Sequence, residues 1–193
     1  MATTSEYFNE NGKLISFEQT GRLTNYHVMV YEGNKKLRYE TYTKGQKHHT
    51  SYYINSDTAI QQILSTEPTA SFVIESNVGK YRTSDNRSYR DGVLTNWRMY
   101  AEDTNIKEFI CVQVIDPLTR SVIHNRTEKS YFDVDGTEIY AFSYNVDGTC
   151  LFVEKTQEYQ TDFYAKNIGR DLDITFTWQG FEYYEHSEPL VPK

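Results

Sequence analysis

The feature that most constrains this chain is its punctuation. Asn11-Gly12, Gly33-Asn34, Lys44-Gly45, Asp91-Gly92, Asp135-Gly136, Asp147-Gly148 and Gln179-Gly180 each set a residue that tolerates positive φ between short alternating runs. Tight hairpin loops need that conformation because their twist must match the right-handed twist of the strands they join. The runs are rich in Tyr, Phe, Thr, Val and Ile and alternate with polar residues, the period-2 signature of half-buried strands. Strands are therefore expected at Leu23–Tyr31, Leu37–Thr43, His49–Ile54, Ala70–Ile74, Leu94–Ala101 and Glu108–Ile115. Further strands are expected at Arg120–His124, Glu138–Tyr144, Cys150–Lys155, Ile174–Trp178 and Phe181–His186. Two segments favour helix: Thr58–Ser65, capped by Ser56 or Asp57 and closed near Pro68, and Thr156–Asn167, rich in polar helix formers.

The predicted fold is all-β or mostly β, an antiparallel meander of about 9–12 strands, as an open sheet or a barrel, with one or two short helices. No Pro/Gly/Ser-rich linker divides the chain, so residues 1–193 read as a single β-rich domain, with 188–193 a frayed tail around Pro189 and Pro192.

Composition narrows the function classes. Aromatic residues make up 15% of the chain and 17 of them are Tyr, which excludes a disordered chain. No apolar run has the roughly 18 residues of a membrane-spanning helix. The N-terminus has neither the basic nor the apolar region of a cleaved signal, and Cys111 and Cys150 form no CxxC pair, so a reducing, cytoplasmic location is expected. Residues 1–127 carry 15 Lys+Arg and 14 Asp+Glu, whereas 128–193 carry 5 and 13. An acidic chain is repelled by phosphate backbones, so nucleic acid is not an expected partner. The locally basic stretches Lys35–His49 and Lys80–Arg98 read as charged strand edges that block unwanted pairing.

No motif for catalysis, cofactor or metal stands out. There is no GxSxG, P-loop or GxGxxG. His48 and His49 point to opposite faces of one strand and cannot ligate one metal together, and Glu182 and Glu185 likewise face apart. Asp133-x-Asp135 begins like a calcium loop but runs straight into strand at Thr137-Glu138-Ile139, and Asp171-x-Asp173 reads as a turn. Cys111 lies between apolar neighbours and Cys150 precedes Leu151-Phe152, so both read as inert core thiols. An enzyme with Glu108, His124 or Tyr140 facing inward is an expectation without a motif. The positive signal is the tyrosine surplus, because Tyr offers a flat apolar body and one hydrogen-bonding tip at low entropic cost. The candidate binding residues are Tyr39, Tyr42, Tyr53, Tyr140, Tyr144, Trp178 and Tyr183. By parity Tyr140, Phe142 and Tyr144 share one strand face and are expected to form a continuous aromatic surface.

Two repeats are visible. Phe8, Tyr31 and Ile54 are evenly spaced, as are Leu14, Leu37 and Ile60, and YFDVDGTEIYAF is followed by SYNVDGTCLFVE as two consecutive hairpins. In YFNENGKLISFEQTGRLTNY and VYEGNKKLRYETYTKGQKHHTSYYIN an aromatic pair, a Gly turn and a Lys-Leu step recur. Residues 7–63 thereby resemble variant MORN hairpin repeats of the kind found in bacterial antitoxin-component proteins, with departures at Gly33 and Ser56-Asp57. The resemblance implies a non-enzymatic interaction scaffold whose Tyr-lined sheet face binds another protein, a toxin or effector, and it carries over no catalytic residues. The alternative is a calycin-like barrel holding a small hydrophobic ligand or chromophore. For that reading, TQEYQTDFYAKNIGRDLDITFTWQGFEYYEHSE is similar to the last hairpin of some bilin-handling lyases.

Overall fold

The computed structural model describes residues 2–157 and 162–193. Among them, thirteen strands form one sheet: β1 (Thr3–Asn9), β2 (Leu14–Ile15), β3 (Asn25–Glu32), β4 (Lys35–Thr43), β5 (Gln46–Tyr53), β6 (Ser71–Val78), β7 (Tyr81–Arg90), β8 (Val93–Asp103), β9 (Glu108–Val114), β10 (Glu128–Phe132), β11 (Glu138–Tyr144), β12 (Cys150–Lys155) and β13 (Phe163–Tyr164). Two helices, α1 (Phe17–Thr20) and α2 (Asp57–Leu64), accompany them. The strand order is β13-β12-β11-β10-β9-β8-β7-β6-β5-β4-β3-β1-β2. The two ends of that order do not pair, so the sheet is open and the barrel alternative falls. The meander is broken twice. β2 folds back on the outer side of β1, and β5 pairs with β6 in parallel through α2, because parallel neighbours need a crossover.

Six of the seven hairpin signals join neighbouring strands, and Gln179-Gly180 does not, because no strand flanks it. Lys44 and Gly45 have φ of 51° and 74°, and Asp91 and Gly92 have 52° and 77°, two positive values in succession as type I′ loops require.

The structure differs from the sequence reading where polar text forms strand or aromatic text does not. β1, β7 and β10 have sequences, such as YRTSDNRSYR, with too few apolar residues to show the alternation that marks a half-buried strand. Conversely, Ile174–Trp178 and Phe181–His186 form no strand; the second contains a 3-10 turn at Glu182–Tyr184. Their aromatic rings insert into a core, and that burial overrides period-2 pairing. Arg120–His124 contributes one isolated bridge, Val122 to Ile115, before a 3-10 turn at His124–Arg126. Of the expected helix Thr156–Asn167, residues 158–161 lie outside the described residues, and the rest is turn, β13 and a 3-10 turn at Ala165–Asn167.

The chain divides into two compact units, Met1–Glu75 with Asn86–Thr95, and Ser76–Asp85 with Asn96–Lys193. The division runs through β6, β7 and β8, so no linker composition marks it.

In the first unit Ile60, Ile63 and Leu64 of α2 lie on one helical face and pack with Ala70, Phe72, Tyr52 and Tyr89. Phe72 is fully buried, its ring 5.5 Å from Tyr89 edge-on and 6.0 Å from Tyr52.

In the second unit Phe142, Tyr144, Cys150, Val153 and Phe163 meet Phe176 and Tyr184 in one core. Ala101, Ile110 and Cys111 form another, against which Leu190 and Val191 pack. The expected frayed tail is therefore docked, because its two apolar residues have a buried place to go.

Candidate functional site

Strand parity sorts the first unit's side chains onto two faces. Tyr7 pairs with Val28, Val28 with Glu40, and Glu40 with Thr50, so these share one face with Tyr26, Tyr42, Arg38, Tyr52 and Phe72. Both helices belong to this face: Phe17 of α1 touches Tyr7 at 5.4 Å, and α2 covers Phe72 and Tyr52. Its centre is polar yet buried. Glu40 accepts hydrogen bonds from Arg38 Nε at 2.7 Å and from the Tyr42 hydroxyl at 2.9 Å. Burial works against the Glu40 charge, but these donors outweigh it and hold the carboxyl below its ordinary pKa. The Tyr42 hydroxyl is pushed up to about 12, by burial first and then by the carboxylate it serves. Tyr52, which donates to Glu67 at 2.5 Å, is likewise pushed up to about 12.

The opposite face of the same strands carries Phe8, His27, Met29, Tyr31, Tyr39, His49 and Tyr53, all half-buried, and neither helix of the unit packs on it. His27 stacks on Tyr39 at 5.1 Å, and the Tyr31 hydroxyl donates to Glu6 at 2.8 Å. Lys36 Nζ lies 5.0 Å over the Tyr53 ring and 3.2 Å from Glu75. His49 Nε2 meets Ser71 Oγ at 2.9 Å, and Ser71 in turn meets Ser88 Oγ at 2.8 Å; burial lowers the imidazole pKa. These contacts fix the rings of His27, Tyr31, Tyr39, His49 and Tyr53, which lowers the entropy a partner would have to take up on docking.

The sequence candidates thus separate. Tyr39 and Tyr53 stand on the helix-free face, and Tyr42 on the helix-covered one. Tyr140, Tyr144, Trp178 and Tyr183 lie in the second unit's core. Tyr140, Phe142 and Tyr144 share a face as parity requires, but the chain's own Phe176, Phe181 and Tyr184 cover it. Phe142 and Tyr144 are 2% exposed, so they present no surface to a partner. Covering residues about thirty or more positions downstream leave no local trace in β11, which is why parity finds the shared face but not that it is covered.

The second unit also holds a buried cation that the sequence did not single out. Lys129 is 1% exposed; its Nζ donates to the carbonyls of Tyr183 and His186, both at 2.8 Å, and sits 3.6 Å from the Tyr183 ring centre. Burial depresses its pKa to about 8. Lys129 pairs directly with Cys111 across the strands, and burial pushes the Cys111 thiol up to about 11. A second anchor lies nearby in sequence: Ser187 bonds His124 Nδ1 at 2.7 Å through its hydroxyl and accepts from Gln113 at 2.8 Å through its carbonyl. Ser187 is 1% exposed, so this Ser-His contact cannot present a nucleophile to a substrate. These groups pin the C-terminal segment, where strand pairing is confined to one bridge, Thr149 to His186.

Among the described residues no group of three or more His, Cys, Asp or Glu could hold a metal ion. A cleft of about 350 Å³ beside β13 is lined by Phe163 and Phe176 together with Lys155, Asp162, Asp171 and Asp173, charges of both signs that converge on no single ligand chemistry. Among the described residues no helix is long and apolar enough to cross a membrane. No known family, curated protein or solved structure matches the chain.

Proposed function

We propose that this protein is a non-enzymatic interaction module that binds another protein through the helix-free face of β1, β3, β4 and β5. One observation carries the reading: both helices of the first unit pack on one face, leaving half-buried Phe8, His27, Met29, Tyr31, Tyr39 and Tyr53 together on the other. Rigid aromatic side chains with a polar tip are the residue types that dominate protein recognition energetics. The partner class suggested by the hairpin-repeat resemblance is a toxin or effector. A reducing, cytoplasmic setting suits two buried, unpaired thiols, Cys111 and Cys150.

The test is the double substitution Tyr39→Ser with Tyr53→Ser, using the complex captured from the native source. Binding should weaken about a hundredfold, since two aromatic anchors contribute ~1–2 kcal/mol each. Unchanged affinity in a folded variant overturns the assignment of this face.

A further inference from the structure

We infer that the outer edge of β1 is a docking site for an extended, basic strand of a partner polypeptide. β1 pairs with β3 along all of Thr3–Asn9, whereas on its other side β2 covers only Tyr7 and Phe8. Thr3–Glu6 therefore overhangs β2. Parity fixes which backbone groups are left over. Asn9 N–H donates to the Lys13 carbonyl, so Asn9 and Tyr7 face β2, and Ser5 and Thr3 face the same way with no strand opposite them. Their N–H and C=O groups have no hydrogen-bond partner among the described residues.

Natural sheets guard such edges with charged side chains, above all Lys, with Pro or with a bulge, and the one charge on this edge is Glu6. Thr3, Thr4, Ser5 and Glu6 include neither Lys nor Pro, the β1–β3 register runs through them without a shift, and all four are exposed. An edge left open in this way is the template for β-strand addition, in which main-chain bonds supply affinity and alternate side chains supply specificity. Ile15 occupies the place opposite Tyr7, so an incoming antiparallel strand must begin opposite Glu6 and run to Thr3. It would gain about four backbone hydrogen bonds, two at Ser5 and two at Thr3.

Charge chooses the occupant. Glu6 is the one ionic group on the overhang, and the Tyr31 hydroxyl holds its carboxylate at 2.8 Å. Lys or Arg opposite Glu6 completes a cross-strand pair, and an acid there is repelled. A second copy does poorly in this respect, since the self-complementary register that pairs Thr3 with Ser5 sets Ala2 against Glu6. The docking uses main chain at the edge and does not rest on the aromatic face.

The test is NMR titration of the whole protein with the capped peptide Lys-Thr-Val-Thr, whose Lys falls opposite Glu6. Amide shifts should be confined to Thr3–Phe8 and the adjoining part of β3. The same peptide with Glu in place of Lys should bind about tenfold more weakly. Ser5→Pro removes one outward N–H and leaves the β3 ladder intact, because edge strands accept Pro where the N–H faces solvent. It should abolish the shifts while circular dichroism and the Tyr39/Tyr53-dependent complex are unchanged. Shifts elsewhere, shifts that survive Ser5→Pro, or no binding at millimolar peptide overturn the proposal. Sedimentation showing a dimer that Ser5→Pro dissolves also overturns it, in favour of self-pairing.

Discussion

Replacing Lys129 by Met tests how the second unit holds its C-terminal segment. The side chain is 1% exposed, its ammonium is served by two carbonyls and the face of Tyr183, and no carboxylate bonds it. Glu188 acts on it only as a more distant charge, and Cys111, Tyr144 and Tyr183 are the other titratable groups that face it. Its pKa falls from 10.5 to about 8. The sign follows directly. Below pH 8 both folded and unfolded states hold the proton and the fold bears the full cost of the buried charge. Between pH 8 and 10.5 the unfolded chain holds a proton that the native state has released, so this group makes stability rise with pH. From pH 7 to 9 the gain is ~1.3 kcal/mol at 1.36 kcal/mol per pK unit.

Two thiols act the other way. Cys111 and Cys150 are pushed from 9.0 up to about 11 and about 12, and from near pH 9 they withdraw stability in the wild type and the variant alike. Subtracting one protein from the other removes the Cys150 effect; Cys111 loses in the variant the cation that lowers it, so its thiol moves further up and stays protonated in the fold from pH 7 to 9. Lys129→Met leaves the Tyr183 and His186 carbonyls without their donor, ~1–3 kcal/mol each, and relieves a charge burial of ~3 kcal/mol. The variant should therefore be at most a few kcal/mol less stable at pH 7, and its deficit should grow by ~1 kcal/mol at pH 9. Urea unfolding at pH 7, 8 and 9 reads both quantities, provided that the m-value is unchanged. A deficit that stays constant refutes the depressed lysine. A deficit that shrinks with pH means that the fold stabilises the cation.

Two further outcomes check other parts of the structure. Glu40 is held below its ordinary value of 4.5, so its contribution is present above pH 4.5 and is lost as pH falls through its folded pKa; Glu40→Gln should flatten the acid limb of the stability curve, and an unchanged limb in acid titration followed by circular dichroism would count against the Arg38–Glu40–Tyr42 network. Gly148 and Gly169 both have positive φ, 87° and 74°, but a Cβ at Gly148 would lie 3.1 Å from Ser187 Oγ and 3.2 Å from His124 Nδ1, whereas at Gly169 nothing is within 4 Å. Both Ala variants should bear the backbone strain of ~1–3 kcal/mol, and Gly148→Ala should lose ~1 kcal/mol more in thermal unfolding; equal losses would mean that the His124–Ser187 contact yields without cost.

How far the fold could be read depended on whether the relevant signal was local. Hairpin loops are local, and β11 and β12 fall where Asp135-Gly136 and Asp147-Gly148 put them. α2 was legible because Ser56 and Pro68 bound an amphipathic stretch. The strand β7 was not, since a polar strand is carried by its neighbours rather than by its own alternation. The error ran the opposite way at Phe176 and Tyr184. There the text looks like strand, yet the rings are wanted in the core beneath β11 and β12, and the backbone follows them.

The same contrast governs the candidate surface. Parity placed Tyr140, Phe142 and Tyr144 correctly on one face, but whether a face is open depends on what else the chain brings to it. In the second unit the downstream aromatics cover that face, and Lys129 serves carbonyls of the covering segment; in the first unit both helices go to the face of Tyr52 and Tyr7, and the face of Tyr39 and Tyr53 is left without one. Tyr39 and Tyr144 look alike in sequence. They differ in exposure because Phe176 and Tyr184 pack in the core with Tyr144, whereas α2 goes to the side of β5 and β6 away from Tyr39, where Ile60, Ile63 and Leu64 find Phe72. Reversing the exposure of the two faces would need a change in α2, not in any tyrosine.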